Sequence, residues 1–98
     1  MSFQVILEPR AIADIQHAID YYDEQLLGLG ERFKATVDHY IQTIEKNPFY
    51  QIRYKDYRAL PTGKFPYRIV YHIDEHEKTV YVMAVFHSSQ SPDKLPCR

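Results

Sequence analysis

The sequence predicts one α+β domain in which a helical hairpin packs on one face of a small antiparallel sheet, in the order β-α-α-β-β-β. In the first half of the chain apolar residues recur at steps of three and four, which is a helical period. In the second half they alternate at every second residue, which is a strand period. The 98 residues suffice for one domain over 1–98, with a core at about 3–92 and a short C-terminal tail.

The first half predicts a strand followed by two antiparallel helices. Phe3, Val5 and Leu7 share one side of a short strand, and Pro9 suits the first turn of the helix that follows. Asp14 lies off the apolar stripe of that helix, so we expect it to face water. Glycines at 28 and 30 separate the two helices and predict a tight connection. The stripes consist of Ile12, Ile15, Ile19, Tyr22 and Leu26 in the first helix and of Phe33, Val37, Tyr40, Ile41 and Ile44 in the second.

The second half predicts three strands joined by short turns, which requires antiparallel pairing. Residues 54–60 form the first, which stops at Pro61-Thr62-Gly63. Residues 67–73 form the second. The third, at 80–87, is apolar on both faces and is therefore expected in the interior of the sheet. We expect the face away from the helices to stay partly open, and to carry function.

The charge is unevenly distributed along the chain. The formal net charge is -1, yet residues 50–71 hold five basic side chains against one acidic side chain. Such a segment predicts a local positive patch, and a merely solvated strand face is the alternative interpretation.

Several classes of function are not expected. Cys97 is the only cysteine, so neither an internal disulfide nor a thiolate metal cage is possible. The five histidines lack the spacing of a metal site, and the chain has no glycine-rich phosphate loop, so we expect no metal and no cofactor. No apolar run is long enough for a membrane span and no signal peptide opens the chain, which predicts a cytosolic protein.

Arginine, lysine, tyrosine and histidine side chains are left as candidates for chemistry. A histidine transfers protons near neutral pH and arginines neutralise charge on a phosphate, so metal-independent RNA cleavage is one hypothesis. The other is structural, with Tyr67, Tyr71 and Tyr81 filling a sheet core and His87 a satisfied polar residue.

Several segments, taken in order, resemble the RelE/ParE superfamily of toxins from bacterial type II toxin–antitoxin systems, also labelled plasmid stabilisation proteins. Tyr21-Tyr22, Phe33, Asn47-Pro48 and Arg58 fit this frame. The most specific parts are the two strand segments, Phe65-Pro66-Tyr67-Arg68-Ile69-Val70-Tyr71 and Val82-Met83-Ala84-Val85-Phe86-His87.

The resemblance implies the same helical hairpin on a small antiparallel sheet, and a cognate antitoxin that silences the toxin. RelE-like members cut messenger RNA in the ribosome, whereas ParE-like members poison DNA gyrase. The Tyr21-Tyr22 and F-P-Y-R segments look ParE-like, and a net charge of -1 is unusual for a ribosome-docking ribonuclease. A ParE-like gyrase toxin is therefore the first hypothesis, a ribosome-dependent mRNA endonuclease the second, and an inactive interaction module the third.

The resemblance also implies site residues. Under the ribonuclease hypothesis Arg58, Arg68 and His87 are catalytic. Ser88-Ser89-Gln90 departs from the arginines that ParE-like sequences carry after the histidine, and weakens a catalytic reading. The residues expected to bind the target or the antitoxin are Arg53, Lys55, Arg58, Lys64, Tyr67 and Arg68.

Overall fold

The computed structural model describes residues 3–49, 53–54 and 57–87, with the backbone alone at 53–54. These residues form two helices and a five-stranded sheet, which confirms the α+β class and the order of elements. The predicted strand at 54–60 is wrong in one respect, since two strands pair antiparallel there with Tyr54 opposite Tyr57. The elements are β1 (Gln4–Leu7), α1 (Pro9–Gln25), α2 (Leu29–Lys46), β2 (Arg53–Tyr54), β3 (Tyr57–Thr62), β4 (Phe65–Asp74) and β5 (Thr79–His87).

The strand order in the sheet is β1-β5-β4-β3-β2. The last strand, β5, lies between β1 and β4, which confirms its interior position. Strands β2 to β5 pair antiparallel as predicted, but β1 runs parallel to β5. The reason is that β1 leads into the helical hairpin instead of a turn. The helical hairpin carries the chain to the far edge of the sheet. Strands β2 to β5 then return across the sheet with alternating direction, so that β5 lies beside β1 and runs the same way.

Helix α1 packs on the sheet through small side chains. Ala11 and Ala18 are fully buried, and Tyr22 lies partly buried beside them. The predicted stripe is wrong at Ile12 and Leu26, which are 56% and 61% exposed. The stripe passes through the alanines because a small side chain lets the helix backbone approach the sheet closely.

Helix α2 follows its predicted stripe. Phe33, Val37 and Ile44 are buried in the same core as α1 and the sheet. Beyond the helix, the buried Tyr71 hydroxyl donates a hydrogen bond to the Pro48 carbonyl oxygen at 2.8 Å, which ties β4 to the end of α2. In the part of the chain that the structure describes, neither helix has the length and hydropathy that crossing a membrane requires.

The face of the sheet away from the helices is less open than predicted. Val70, Met83 and Ala84 are fully buried there, and they form a second cluster with Phe86. The centre of this face is therefore covered. Arg68 projects from it, because its neighbours along β4 face the helices.

The two helices meet at Gly30, where no side chain fits. The Gly30 N–H donates a hydrogen bond to Asp23 Oδ1 at 2.8 Å. A Cβ atom at this position would lie 2.6 Å from the Ile19 carbonyl oxygen and 2.7 Å from Asp23 Oδ1. The backbones of the hairpin therefore approach each other as closely as a glycine permits.

The sign of the change in the free energy of unfolding of Gly30→Ala tests this close approach. A glycine-to-alanine change in a helix with free space stabilises a protein by about 0.5–1 kcal/mol. We expect Gly30→Ala to lower the free energy of unfolding instead, by about 1–3 kcal/mol, because the added methyl group overpacks the contact. Urea unfolding followed by circular dichroism measures the difference. An increase in stability would show that the hairpin has room at this position.

Candidate functional site

Four aromatic rings join the helical hairpin to the beginning of β4. The buried Phe33 ring lies 5.5 Å from Tyr22, 5.2 Å from Phe65 and 5.2 Å from Tyr67, measured between ring centroids. Tyr22 also lies 5.1 Å from Phe65 in an edge-to-face arrangement. Such pairs add about 0.5–1.5 kcal/mol each beyond the area that they bury. The Phe65 and Tyr67 rings of the F-P-Y-R segment therefore hold β4 against the hairpin.

A β-bulge sets the position of His87. The register of β4 and β5 shifts between Val70 and Tyr71, which leaves Met83 on β5 without an opposite residue. One extra residue inverts the alternation of the strand beyond it. As a result His87 lies opposite Tyr67, on the side of the helices, with the two rings 5.3 Å apart.

A cleft of about 340 Å³ opens beside this pair, between α1 and the ends of β4 and β5. We call it the His87 cleft. Its polar side chains among the described residues are two imidazoles, two phenols and one carboxylate, with no lysine or arginine. The described lining therefore supplies hydrogen-bonding groups but no permanent cation for a phosphate. It is lined by Asp14, His17, Ala18, Tyr21, Tyr67, Val85 and His87.

Asp14 connects α1 to the edge of β5. Its Oδ2 atom accepts a hydrogen bond from the Val85 N–H at 3.1 Å and lies 3.6 Å from Arg10 Nε. Strand β1 pairs with β5 only as far as Val82, opposite Leu7, so the Val85 amide lies beyond the end of the β1 ladder. The expectation that Asp14 faces water is therefore wrong, because the carboxylate satisfies a strand-edge amide.

Burial raises the pKa of two phenols in this region, those of Tyr67 and Tyr22. It raises the pKa of the Tyr67 phenol above the ordinary value of 10.0, and the nearby Tyr21 and Asp14 raise it further. The pKa of Tyr22 is raised in the same way, first by burial and then by Tyr67 and Tyr21. At neutral pH both phenols are hydrogen-bond donors, and neither serves as a base.

The three residues predicted as catalytic do not come together. Arg58 lies opposite Tyr71 on the helix side, where its guanidinium is 5.4 Å from the Phe49 ring centroid. Along β4, Tyr71 is four residues from the partner of His87, roughly 13 Å in a strand. Arg68 is exposed on the other face of the sheet, opposite Phe86. The predicted basic strand face is thus divided, with Arg58 and Arg68 on opposite sides.

The other predicted site residues are distributed as follows. Tyr67 lines the His87 cleft, and Lys64 lies exposed in the turn before β4. The Arg53 backbone pairs with Arg58, and its side chain is outside the described residues. Three further predictions fall outside the described residues altogether, namely Lys55, Ser88-Ser89-Gln90 and Cys97.

Helix α1 contributes to the His87 cleft, which was not predicted from the sequence. Asp14, His17 and Tyr21 occupy positions i, i+3 and i+7 of the helix and so share one face beside the apolar stripe. That spacing is the signal that identifies them. Among the described residues, no three histidine, cysteine, aspartate or glutamate side chains cluster closely enough to hold a metal ion.

A second and larger groove lies on the opposite flank of the aromatic rings. It has a volume of about 690 Å³ and runs between α2 and the turn that joins β3 to β4. Arg32 and Lys64 both line it, and we call it the Arg32–Lys64 groove. Gly63 in that turn has a left-handed φ of 62°, and a Cβ there would lie 3.0 Å from the Tyr40 hydroxyl. The turn therefore approaches the helix closely at this point.

Comparison with protein families gives one match over most of the chain. Residues 5–92 match the family described as "ParE toxin of type II toxin-antitoxin system, parDE". A comparison with curated protein sequences finds no match.

Solved structures of toxins and toxin–antitoxin complexes have a similar fold. The intact RelBE complex of E. coli aligns with a TM-score of 0.69 at 15% identity, over 91% of this chain and 100% of the solved chain. The isolated E. coli RelE toxin gives 0.68 at 16% identity, over 94% and 90% of the two chains. The chromosomal ParDE system of P. aeruginosa gives 0.65 at 13% identity, over 88% and 96%. At these identities the likeness establishes the fold.

The raised pKa of Tyr67 predicts a dependence of stability on alkaline pH. The folded state holds the phenolic proton more tightly than the unfolded state, so this contribution to stability is complete below the unfolded pKa of about 10. It is lost as the pH rises from there through the folded pKa. We expect the free energy of unfolding to fall more steeply between about pH 9.5 and 11 for the wild type than for Tyr67→Phe. Urea unfolding across this range measures both slopes, and parallel slopes would contradict the assignment.

Proposed function

We propose, from the premise that this chain belongs to the family of ParE toxins of type II toxin–antitoxin systems, that it acts by binding DNA gyrase and is neutralised by a cognate antitoxin. Toxicity in this proposal comes from binding a protein, and the chain cleaves no bond. The second candidate function is cleavage of messenger RNA in the ribosome, which requires the chain to be an enzyme. The experiment below distinguishes the two functions.

The separation of Arg58, Arg68 and His87 supports gyrase binding over RNA cleavage. General acid–base cleavage of RNA needs the proton-transfer group within hydrogen-bond reach of the reacting oxygen. It also needs cations aimed at the same phosphate, where charge develops. His87 and Arg68 lie on opposite faces of the sheet, so their side chains point away from a common phosphate. This separation supports binding as the mode of action.

The electrostatics of the His87 cleft point the same way. Within the described ranges, its lining contains the Asp14 carboxylate and no lysine or arginine. An RNA backbone entering it would meet a negative charge, partly offset by Arg10 at 3.6 Å. A net charge of -1 over the whole sequence provides no general attraction for nucleic acid.

Arg68 is the side chain that we assign to contact with gyrase. It is exposed, belongs to the F-P-Y-R segment and projects from a face whose apolar residues are buried. Arginine is enriched among the residues that dominate protein–protein affinity, because its planar group pairs with carboxylates in two-point geometry. An exposed cation on a rigid central strand is suited to such a contact.

Expression of the chain alone in bacteria separates the two candidate functions. Plasmid supercoiling and the 5′ ends of transcripts are followed after induction. We expect relaxed plasmid and a DNA-damage response with intact transcripts. Cuts at codon positions within translated messages, with normal supercoiling, would establish the ribonuclease instead. Unaffected growth with both readouts unchanged would favour the inactive interaction module.

Two substitutions in the same experiment locate the functional surface. We expect Arg68→Glu to abolish the loss of supercoiling without lowering thermal stability, because the residue is exposed. His87→Ala should retain the loss of supercoiling, since a gyrase-binding toxin needs no proton-transfer group. Lys34→Glu serves as the control, since Lys34 is a cation on α2 with a 60% exposed side chain. Loss of toxicity in His87→Ala with transcript cleavage also lost would support the ribonuclease.

A further inference from the structure

The Asp14 carboxylate in the His87 cleft has one oxygen left for a ligand. Within the described residues both of its interactions use Oδ2, which contacts the Val85 N–H at 3.1 Å and Arg10 Nε at 3.6 Å. Arg10 lies one turn nearer the start of α1 and is not part of the cleft lining. The Oδ1 atom can therefore accept hydrogen bonds from a group that enters the cleft.

Aromatic rings form much of the remaining wall. The Tyr67 and His87 rings lie 5.3 Å apart, and Tyr21 lines the cleft from α1 with 54% of its surface exposed. The face of an aromatic ring attracts a cation that lies within about 6 Å of the ring centroid. The cleft thus combines a carboxylate that can pair with a cation and rings on which a cation can stack.

The charge around the cleft also favours a cation. Residues 9–25, which form α1, include four acidic side chains and one basic side chain. The Asp14 charge acts across the cleft on the Tyr67 phenol, where it is one of the causes that raise the pKa. An entering anion would meet this negative charge, whereas a cation would be attracted by it.

We infer that the His87 cleft binds a guanidinium group, supplied either by an arginine side chain of another protein or by a free alkylguanidine. Its N–H groups would donate to Asp14 Oδ1, and its flat face would stack on the Tyr21 or Tyr67 ring. The cleft volume of about 340 Å³ is at the lower end of the range for ligand sites and suits one such group. Guanidinium binding here is independent of the proposed function, which is assigned to Arg68 on the other face of the sheet.

A guanidinium fits the cleft better than two other kinds of cation. A divalent metal ion needs several anionic or imidazole ligands, and in the described part of the chain no three such side chains cluster closely enough. An ammonium group is compact and strongly hydrated, so it gains less from ring faces than a planar guanidinium does. One carboxylate among several rings therefore favours the guanidinium.

Titration of the isotope-labelled full chain with three probes, followed by nuclear magnetic resonance, tests this site. The probes are a blocked Gly-Arg-Gly peptide, the same peptide with citrulline in place of arginine, and agmatine, which is a free alkylguanidine. Citrulline carries a neutral urea group of the same shape as the guanidinium. We expect the arginine peptide to shift the amide resonances of Val85 and Tyr67 saturably, and the citrulline peptide to leave them nearly unchanged at equal ionic strength.

Two cleft variants and a matched control locate the binding. Asp14→Asn removes the charge but keeps an oxygen for the Val85 N–H, and we expect it to weaken binding of the arginine peptide by about tenfold. Tyr21→Leu removes an exposed ring, and we expect a loss of about threefold. The control, Asp20→Asn, removes the same charge from an exposed α1 residue outside the cleft lining and should change affinity by about twofold or less.

The relative affinities of the probes distinguish the two sources of the guanidinium. Tighter binding of the arginine peptide than of agmatine would support an arginine side chain, and tighter binding of agmatine would support a free alkylguanidine. Equal binding of the arginine and citrulline peptides would overturn the inference, because the charge would not be recognised. Equal losses in Asp14→Asn and Asp20→Asn would also overturn it, since only the general charge of α1 would then act. The exposed Tyr21→Leu variant decides the question if Asp14→Asn does not fold.

Discussion

The packing of the Phe33 ring is the constraint on which the two clefts depend. Phe33 is fully buried and contacts Tyr22, Phe65 and Tyr67. Phe65 lines the Arg32–Lys64 groove on one flank, and Tyr67 lines the His87 cleft on the other. Loss of a buried phenylalanine ring costs about 3–5 kcal/mol. This is a large share of the roughly 5–15 kcal/mol by which small domains are stable. The same contact that fixes the helical hairpin on the sheet therefore keeps the two clefts apart.

The two clefts differ in the charge of their lining residues. In the part of the chain that the structure describes, the Asp14 carboxylate lines the His87 cleft, while two cations and no carboxylate line the Arg32–Lys64 groove. Arg68 adds a third, separate feature on the other face of the sheet. A ribonuclease needs its charged groups around one phosphate, whereas a toxin that acts by binding a protein does not. The separation of the charged groups therefore supports the proposed binding function over one catalytic centre.

Periodicity predicted the elements well, because burial of one face imposes it. The stripe of α2 and the interior position of β5 follow from apolar spacing alone. The position of His87 did not follow, since one extra residue at Met83 inverts the strand and nothing in a run of apolar residues marks a bulge. The role of Asp14 was missed because its partner, the Val85 amide, lies 71 residues away in sequence. Likewise, the parallel pairing of β1 depends on the course of the whole hairpin and not on any local pattern.

We propose that this member of the ParE family acts by binding gyrase. The most direct measurement mixes the purified chain with purified DNA gyrase, ATP and relaxed plasmid, and follows supercoiling as the ratio of chain to gyrase is raised. We expect supercoiling to be inhibited as the chain approaches stoichiometric excess, and to be restored by Arg68→Glu. Full supercoiling at a large excess of folded wild-type chain would rule out gyrase binding as the mode of action.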